Sequence, residues 1–498
     1  MSDEVEIKLS LPESAQRAFL RHPLLKQAEP LPTRKLVNIY YDTRELTLHD
    51  KGIALRTRRQ GRHWLQTVKC AGTAAGGLAV RPEWEQPYRG RFEFDDIDDS
   101  KVREFLERHR VRSHLEPVFE TAFSRRCWRL RPSRGASVLL MLDRGAIVAG
   151  DRREALSEIE LELEQGDAGA LFELARVLAA DLPACPELFS KAERGYRLRL
   201  AAPLVPRKAA RSTLQATMSP AEAFRLIAQD CLAQLQWNAL GANAQDAEFV
   251  HQMRVALRRL RSGVRTFRPA LPEGFEAAVA PPIRALARTL GAARDWDVLA
   301  EEIVAPVRQA FAEDARLDAL AAAVERLRES ARASVRRALA DSAYAIFLLD
   351  FGARLHRLEA ASAAGNLAGF AARRLDRLHK KALALADAAR AQAPDALHAL
   401  RIGVKRLRYA TEFFAPLYPA GEVRSTLAAL TSLQDALGAL NDLSRAGGLL
   451  AQCMDDDPAL REAVSLLGGW HGPRHAELGR LTLQGIRRLQ KMHRFWRE

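Results

Sequence analysis

Cysteine is scarce in this 498-residue chain. The five present (Cys70, Cys127, Cys185, Cys231 and Cys453) are scattered and never form a CxxC pair. An odd, widely spaced set excludes a disulfide framework and a thiolate zinc site, and isolated thiols fit a reducing cytosol. Long apolar runs are missing too: no stretch approaches the roughly 18 residues that a membrane helix requires. The N-terminus lacks the charged-then-apolar pattern of a signal peptide. Glycine clusters once, in Ala71-Gly72-Thr73-Ala74-Ala75-Gly76-Gly77. That segment has no Gly-Lys-Ser/Thr ending, so it reads as a hairpin loop and not as a P-loop. These absences predict a cytoplasmic protein without a membrane partner.

Charge is what the chain has in quantity. A formal net charge of +14 points to a polyanionic partner. The excess is uneven. Residues 1–200 carry 34 Lys and Arg against 31 Asp and Glu, whereas 201–498 carry 42 against 31. The polyanion question therefore belongs mainly to the second part. Hydrophobic residues make up 48% of the chain, enough for substantial cores, and the length suggests more than one domain.

The first 200 residues read as strands. In Glu4-Val5-Glu6-Ile7-Lys8 a period of two puts Glu4, Glu6 and Lys8 on one face, with Val5, Ile7 and Leu9 on the other. Similar runs over Leu36–Asp42, Gly52–Arg59, His63–Cys70, Val80–Tyr88, Val118–Leu130, Ser137–Asp143 and Glu158–Glu164 bring the expected strands to eight. Helices are expected over Pro12–His22, Lys101–Arg110 and Ala168–Ala180. Nearly every strand has a charged face: Arg56 with Arg58; Arg81 with Glu83 and Glu85; Thr121 with Arg125; Glu158 with Glu160, Glu162 and Glu164. The first and last strands are acidic and those between are basic. Closing eight strands into a barrel would give one lumen with an acidic wall facing a basic wall. A polyphosphate carrying Mg²⁺ or Mn²⁺ needs that arrangement. Glu164 and the run Asp95, Asp96, Asp98, Asp99 are expected to be solvated, and His49-Asp50 to form a turn.

The ordered set resembles the CYTH domain of the triphosphate tunnel metalloenzymes. Glu4-x-Glu6-x-Lys8 is followed by Asn38-Ile39-Tyr40-Tyr41-Asp42-Thr43, Gly52-Ile53-Ala54-Leu55-Arg56-Thr57-Arg58 and Lys69. Arg81-Pro82-Glu83, Arg125, Glu158-Ile159-Glu160-Leu161-Glu162 and Ser190-Lys191-Ala192-Glu193-Arg194-Gly195-Tyr196 continue it. The resemblance covers residues 1–200 and implies an eight-stranded antiparallel β tunnel barrel with flanking helices. It implies Glu4, Glu6, Glu160 and Glu162 as metal ligands for Mg²⁺ or Mn²⁺. Lys8, Arg56, Arg58, Lys69, Arg81 and Arg125 would bind the substrate's phosphates. Lys191, on a helix at the tunnel, would complete a catalytic set with Glu4, Glu6 and Lys8. The implied reaction is metal-dependent hydrolysis of inorganic triphosphate to pyrophosphate and phosphate. Other members are thiamine-triphosphatases or adenylyl cyclases. No base-binding aromatic or nucleotide fingerprint is evident here, so inorganic triphosphate is expected ahead of an organic one.

Residues 201–219, with Pro203 and Pro206, read as a linker. Ser219-Pro220-Ala221-Glu222 then opens a helix with a capping box. An all-α bundle with an internal duplication is expected over 220–498. His251-x-x-Arg254-x-x-x-Arg258-Arg259-Leu260-Arg261 recurs as His398-x-x-Arg401-x-x-x-Lys405-Arg406-Leu407-Arg408, an offset of 147 residues. The same offset pairs Phe267 with Phe414, Pro269 with Pro416 and Asp295 with Asp442. His251, Arg254, Arg258, Arg261 and Arg265 fall within roughly an 80° arc of a helix. His398, Arg401, Lys405 and Arg408 form the equivalent stripe, and Arg373, Arg377 and Lys380 make another. Acidic partners at i±4 are missing from these stripes, which favours an anion-binding surface over a salt-bridged one. Aromatics do not interleave with them as in single-strand binders, so nucleic acid is not the expected partner.

The repeated pattern resembles the CHAD domain, which binds inorganic polyphosphate, over residues 215–498. It is supported by Leu290-Gly291-Ala292-Ala293-Arg294-Asp295-x-Asp297 and by Gln434-Asp435-x-Leu437-Gly438-x-x-Asn441-Asp442. Asp295 and Asp442 are expected to hold the arginines in place. The resemblance implies long-chain polyphosphate as partner, and polyphosphate granules as a place of association. The chief alternative is a non-catalytic adaptor whose tunnel merely holds an anion.

Overall fold

The computed structural model describes residues 2–497 apart from 71, 133–134, 211, 244–245 and 361–364. Ala71 of the glycine-rich segment is thus outside the described residues. The backbone divides into two compact units, Met1–Leu204 with Ala340–Arg357, and Val205–Leu339 with Leu358–Glu498.

The first unit is built on eight long strands: β1 (Ser2–Ser10), β2 (Glu29–Asp42), β3 (Ile53–Gln60), β4 (His63–Cys70), β5 (Leu78–Pro87), β6 (Glu116–Leu130), β7 (Ser137–Ala149) and β8 (Arg152–Gln165). All neighbours are antiparallel. The order β1-β8-β7-β6-β2-β3-β4-β5 returns to β1 through pairing of Glu4 with Arg81, so the barrel is closed. Closure removes both sheet edges. Two short strands, Thr73–Ala75 and Cys185–Pro186, add to the rim. The first of these turns back into β5 through Gly76-Gly77, the expected hairpin.

Alternation sorts the barrel's two surfaces. Ile7, Leu9, Leu140, Leu142, Ile159 and Leu161 point outward and are buried under helix Gly169–Asp181 through Leu171, Phe172 and Leu178. Leu48, Ile53, Leu55 and Val68 form a second outer cluster with Phe94, Ile97 and Leu106. Asp99 caps the helix Ser100–Glu107 by accepting from the backbone N–H of Lys101 and Val102. The expected helix over Pro12–His22 is broken into two single turns, Glu13–Ala15 and Gln16–Phe19. Glu164 is exposed and bound to Arg129, as a solvated position should be.

The helices of eight or more residues are α1 (Ser100–Glu107), α2 (Gly169–Asp181), α3 (Lys191–Leu200), α4 (Pro220–Leu240), α5 (Ala247–Phe267), α6 (Phe275–Val298), α7 (Ala315–Ala340), α8 (Ser342–Ala360), α9 (Leu367–Ala388), α10 (Pro394–Phe414), α11 (Ala420–Asp456) and α12 (Arg461–Gln490). One of them departs from the expected run of helices after residue 220. α8 belongs with the barrel: Ala345 and Leu349 are buried in the cluster of Ile7, Leu171 and Phe172. Its Gly352 meets the hairpin turn so closely that a Cβ on Gly76 would lie 2.5 Å from the Gly352 Cα. Gly76 also has φ +58°, so glycine is needed there twice over. Arg176 and Asp350 pair at 3.1 Å across the same contact. Leu349→Ala should therefore destabilise the barrel unit by about 2–5 kcal/mol. The check is a lowered urea midpoint read at Trp128, which lies in that cluster; an unchanged midpoint would remove α8 from the barrel core.

In the second unit Ser219 caps α4 by accepting from the Glu222 N–H, with Pro220 at the first helical position. Met253, Leu257, Leu260, Val264 and Phe267 of α5 are buried, which leaves the cationic stripe on the opposite side. Phe267 and Phe414, equivalent across the 147-residue offset, pack directly with ring centroids 5.4 Å apart. Among the described residues no helix is long and apolar enough to cross a membrane.

Candidate functional site

The barrel lumen gathers charged side chains from at least six strands. β1 places Glu4, Glu6 and Lys8 inward, and the register sets Glu6 opposite Glu162 and Lys8 opposite Glu160 on β8. Arg56 and Arg58 come from β3, Lys69 from β4, Arg81 from β5 and Arg125 from β6. α3 adds Lys191 from outside the sheet. Two connected cavities of about 260 and 480 Å³ share Glu4, Arg56, Arg58 and Arg125 as their common lining. Ten of the eleven tunnel residues singled out from sequence line the smaller cavity; Glu162 lines the larger.

Apart from Arg81, for which no partner is described, the cations are already engaged. Lys8 lies 2.8 Å from Glu6 and 3.1 Å from Glu160. Lys69 pairs with Glu4 at 2.5 Å and Glu83 at 3.0 Å. Arg125 donates two hydrogen bonds of 2.7 Å to Asp143 and a further one to Glu160. Lys191 is bound by Asp143 at 2.7 Å, Glu160 at 2.9 Å and Glu158. The walls are thus less segregated than the sequence pattern suggested. Glu83 and Glu85 on β5 intrude among the basic residues, facing Arg56 at 3.5 Å and Arg58 at 3.6 Å.

The two ends of the acidic face differ. Carboxylate oxygens of Asp143, Glu158 and Glu160 lie within 4.8 Å of one another, but the Lys191 ammonium sits among them. Burial opposes that charge, and the three carboxylates overcome it and raise the lysine's pKa. At the other end, burial raises the Glu4 carboxyl, yet Lys69 and Lys8 outweigh it and hold Glu4 at about 2. Glu162 has only the weaker pull of Lys69. Burial, then Glu4, Glu160 and Glu6, push it up to about 7. A carboxyl held near neutrality by neighbouring carboxylates is one that a hard cation would stabilise as the anion. Glu4, Glu6, Glu160 and Glu162 line these cavities with carboxylate oxygens, the donor type that a hard divalent cation takes.

In the helical unit the two repeated stripes converge. Burial, then Arg401, Arg258, Arg254 and Arg261, lower the Lys405 ammonium to about 7. Burial and Arg258 likewise bring Arg254 down to about 10, against the pull of Asp295. The stripe ends do have acidic partners: Asp295 as expected, and Glu412 at i+4 of Arg408 against the expectation that none stood there. Arg254 is 3.9 Å from Asp295 and Arg265 3.6 Å from Glu276, while Arg408 is bound by Glu412 one turn along. Asp295 also binds Arg445, as a structural partner of arginines should. Among the described residues Arg258, Arg261, Arg401 and Lys405 have no carboxylate at ion-pair distance, so the uncompensated part is the middle of the cluster. His251 is half-buried, and burial, Arg294, Arg258 and Arg254 keep it below the usual histidine range. His398 is exposed. Arg373, Arg377 and Lys380 form an exposed stripe on α9, with no described ion pair.

The CYTH domain family matches residues 2–196, and the CHAD domain family matches 226–451. The chain carries a CYTH domain followed by a CHAD domain. An inorganic triphosphatase of Haemophilus influenzae is 30% identical over 211 residues, 40% of this chain. The match spans 55% of that relative's length, about half of it. The CHAD domain from the plant Ricinus communis is 33% identical, covering 57% of this chain and 96% of that one, with a TM-score of 0.51. PptA from Streptomyces chartreusis is 18% identical over 56% of this chain and 98% of its own, with a TM-score of 0.39.

Several CYTH-domain contributors escaped the sequence reading. Asp143 is fully buried and anchors both Arg125 and Lys191, yet it is a single acid at the end of an apolar run. Tyr40, Phe123 and Tyr196 line the smaller cavity. All three are engaged within the fold: Tyr40 stacks on Phe119 at 4.5 Å, Phe123 lies 5.1 Å under the Lys191 ammonium, and Tyr196 donates to Asp42 at 2.9 Å. His49 packs on Tyr196 in the short turn Thr47–Asp50.

Proposed function

We propose that the CYTH tunnel hydrolyses inorganic triphosphate to pyrophosphate and phosphate with Mg²⁺ or Mn²⁺, and that the CHAD half binds inorganic polyphosphate. The observation that carries the first reading is the single lumen in which Glu4, Glu6, Glu160 and Glu162 meet Lys8, Arg56, Arg58, Lys69, Arg81 and Arg125. The name of the Haemophilus relative supports it. Glu4, Glu6, Glu160 and Glu162 would hold the cation, which when bound supplies charge neutralisation and a more acidic water.

The chain's own residues do the rest by position and charge. Lys8, Lys69, Arg56, Arg58 and Arg125 exchange carboxylate partners for phosphate oxygens and Arg81 adds its charge, so the substrate enters a site already arranged for anions. Burial strengthens those contacts because little water screens them. Lys191, fixed by three carboxylates, keeps its proton and directs Arg125 and Glu160 toward the lumen. Catalysis of this kind is mostly positioning plus electrostatic stabilisation. Phosphate release from tripolyphosphate, thiamine triphosphate and ATP tests the substrate class. The highest kcat/KM is expected for tripolyphosphate; a preference for either organic substrate would overturn that reading.

The polyphosphate reading rests on the uncompensated cluster of Arg258, Arg261, Arg401 and Lys405. Lys405, at about 7, is half neutral at neutral pH in the free protein. A polyanion would restore its proton. Polyphosphate binding should therefore take up protons near pH 7 and weaken as pH rises to 9, which calorimetry in buffers of different ionisation enthalpy would detect. Stability of the free protein should move oppositely. The unfolded lysine holds its proton up to its ordinary value while the folded one loses it near 7, so stability rises with pH across that window. Affinity independent of pH between 6 and 9 would remove Lys405 from the contact set.

A further inference from the structure

The tunnel is polarised along its length. Beyond the four shared side chains, the smaller cavity adds the cations Lys8, Lys69, Arg81 and Lys191 against the carboxylates Glu6, Glu160 and Glu193. The larger adds five carboxylates, Glu83, Glu85, Glu93, Asp96 and Glu162, and no cation. Shared Arg56 and Arg58 answer Glu83 and Glu85. Glu93 pairs with the exposed Arg91 at 2.8 Å, and Asp96 is exposed with no ion-pair partner among the described residues.

We propose that this acidic mouth is a chain-length stop, which turns back a linear polyphosphate extending beyond Arg56, Arg58 and Arg125 and so confines the tunnel to triphosphate. The inference rests on the triphosphatase reading. Three phosphoryl groups can be held over the basic cavity and the shared arginines. A fourth would enter a mouth where, with Glu162 given to the cation, Glu83, Glu85, Glu93 and Asp96 still carry its own sign. Space is not what limits it, since the acidic cavity, at about 480 Å³, is larger than the basic one at about 260 Å³. The rejection is therefore electrostatic, a case of specificity by repulsion. Because Glu85 and Asp96 are exposed, salt should screen part of it.

The test compares kcat/KM for tetrapolyphosphate and tripolyphosphate in wild type, Glu93→Gln/Asp96→Asn and Glu93→Lys/Asp96→Lys. Neither residue touches a tunnel cation, so tripolyphosphate turnover should stay close to wild type. The tetrapolyphosphate-to-tripolyphosphate ratio should rise about tenfold in the neutral variant and further on charge reversal, as expected for removing close like charges. In wild type the same ratio should rise with salt. A ratio that moves with neither substitution nor salt overturns the length stop while leaving triphosphatase activity standing. A wild-type protein that releases no phosphate from tripolyphosphate sinks the underlying reading, and the stop with it.

Discussion

Lys191→Met is expected to lower the stability of the barrel unit by about 3–5 kcal/mol, because it leaves buried carboxylates without their ammonium. Asp143 and Glu158 are fully buried and Glu160 nearly so, and Lys191 is the cation common to all three. Arg125 would remain on Asp143 and Glu160, and Arg194 on Glu158 at 3.2 Å, so collapse of the barrel is not expected. Tripolyphosphate turnover should fall by about 10²–10³-fold, the usual loss when one preorganised electrostatic partner is removed. Denaturant unfolding and steady-state kinetics at a temperature where the variant is folded would separate the effects. Wild-type stability together with wild-type turnover would contradict the role of Lys191.

The second large effect concerns the CHAD half. Reversing charge at Arg254, Arg258, Arg401 and Lys405 to Glu should abolish polyphosphate binding. The two stripes meet there, and Arg258, Arg401 and Lys405 have no described carboxylate at ion-pair distance, although Asp442 and Asp295 partly offset Arg401. Any residual binding should show a salt dependence of log K flatter by on the order of three, the loss of four phosphate contacts at single-strand behaviour. Folding should survive, since burial and like-charge neighbours already hold Arg254 at about 10 and Lys405 at about 7. Tripolyphosphate turnover in the CYTH tunnel should persist. Polyphosphate binding with an unchanged salt slope would place the contact surface elsewhere, with the exposed Arg373, Arg377 and Lys380 stripe as the next candidate.

The strands were legible because a period of two leaves a strong signal when one face is apolar and the other charged. Ile7 and Leu9 beside Glu6 and Lys8 show it, and each observed strand contains most of its expected range. Lumen membership followed from the same alternation. Pairing did not, because it depends on register between strands distant in the chain. Glu83 therefore read as one of a mixed face, whereas its place beside Lys69 appears only when β4 and β5 align. Asp143 was hidden by its apolar neighbours. The stripes of α5 and α10 were clear from helical spacing, but Glu276 and Asp295 answer Arg265 and Arg254 from another helix. An i±4 search cannot find them. α8 has the same Ala- and Leu-rich composition as the helices around it, so nothing local marks it as part of the barrel.

Phosphate release from tripolyphosphate with Mg²⁺, Mn²⁺ or EDTA, for wild type beside Glu4→Gln/Glu6→Gln, tests the central claim most directly. Release should be rapid, require the metal and disappear in the variant, while polyphosphate binding by the CHAD half is retained. If neither protein released phosphate from tripolyphosphate, ATP or thiamine triphosphate under any metal, yet wild type still bound polyphosphate, the tunnel would be an anion holder and not a catalyst.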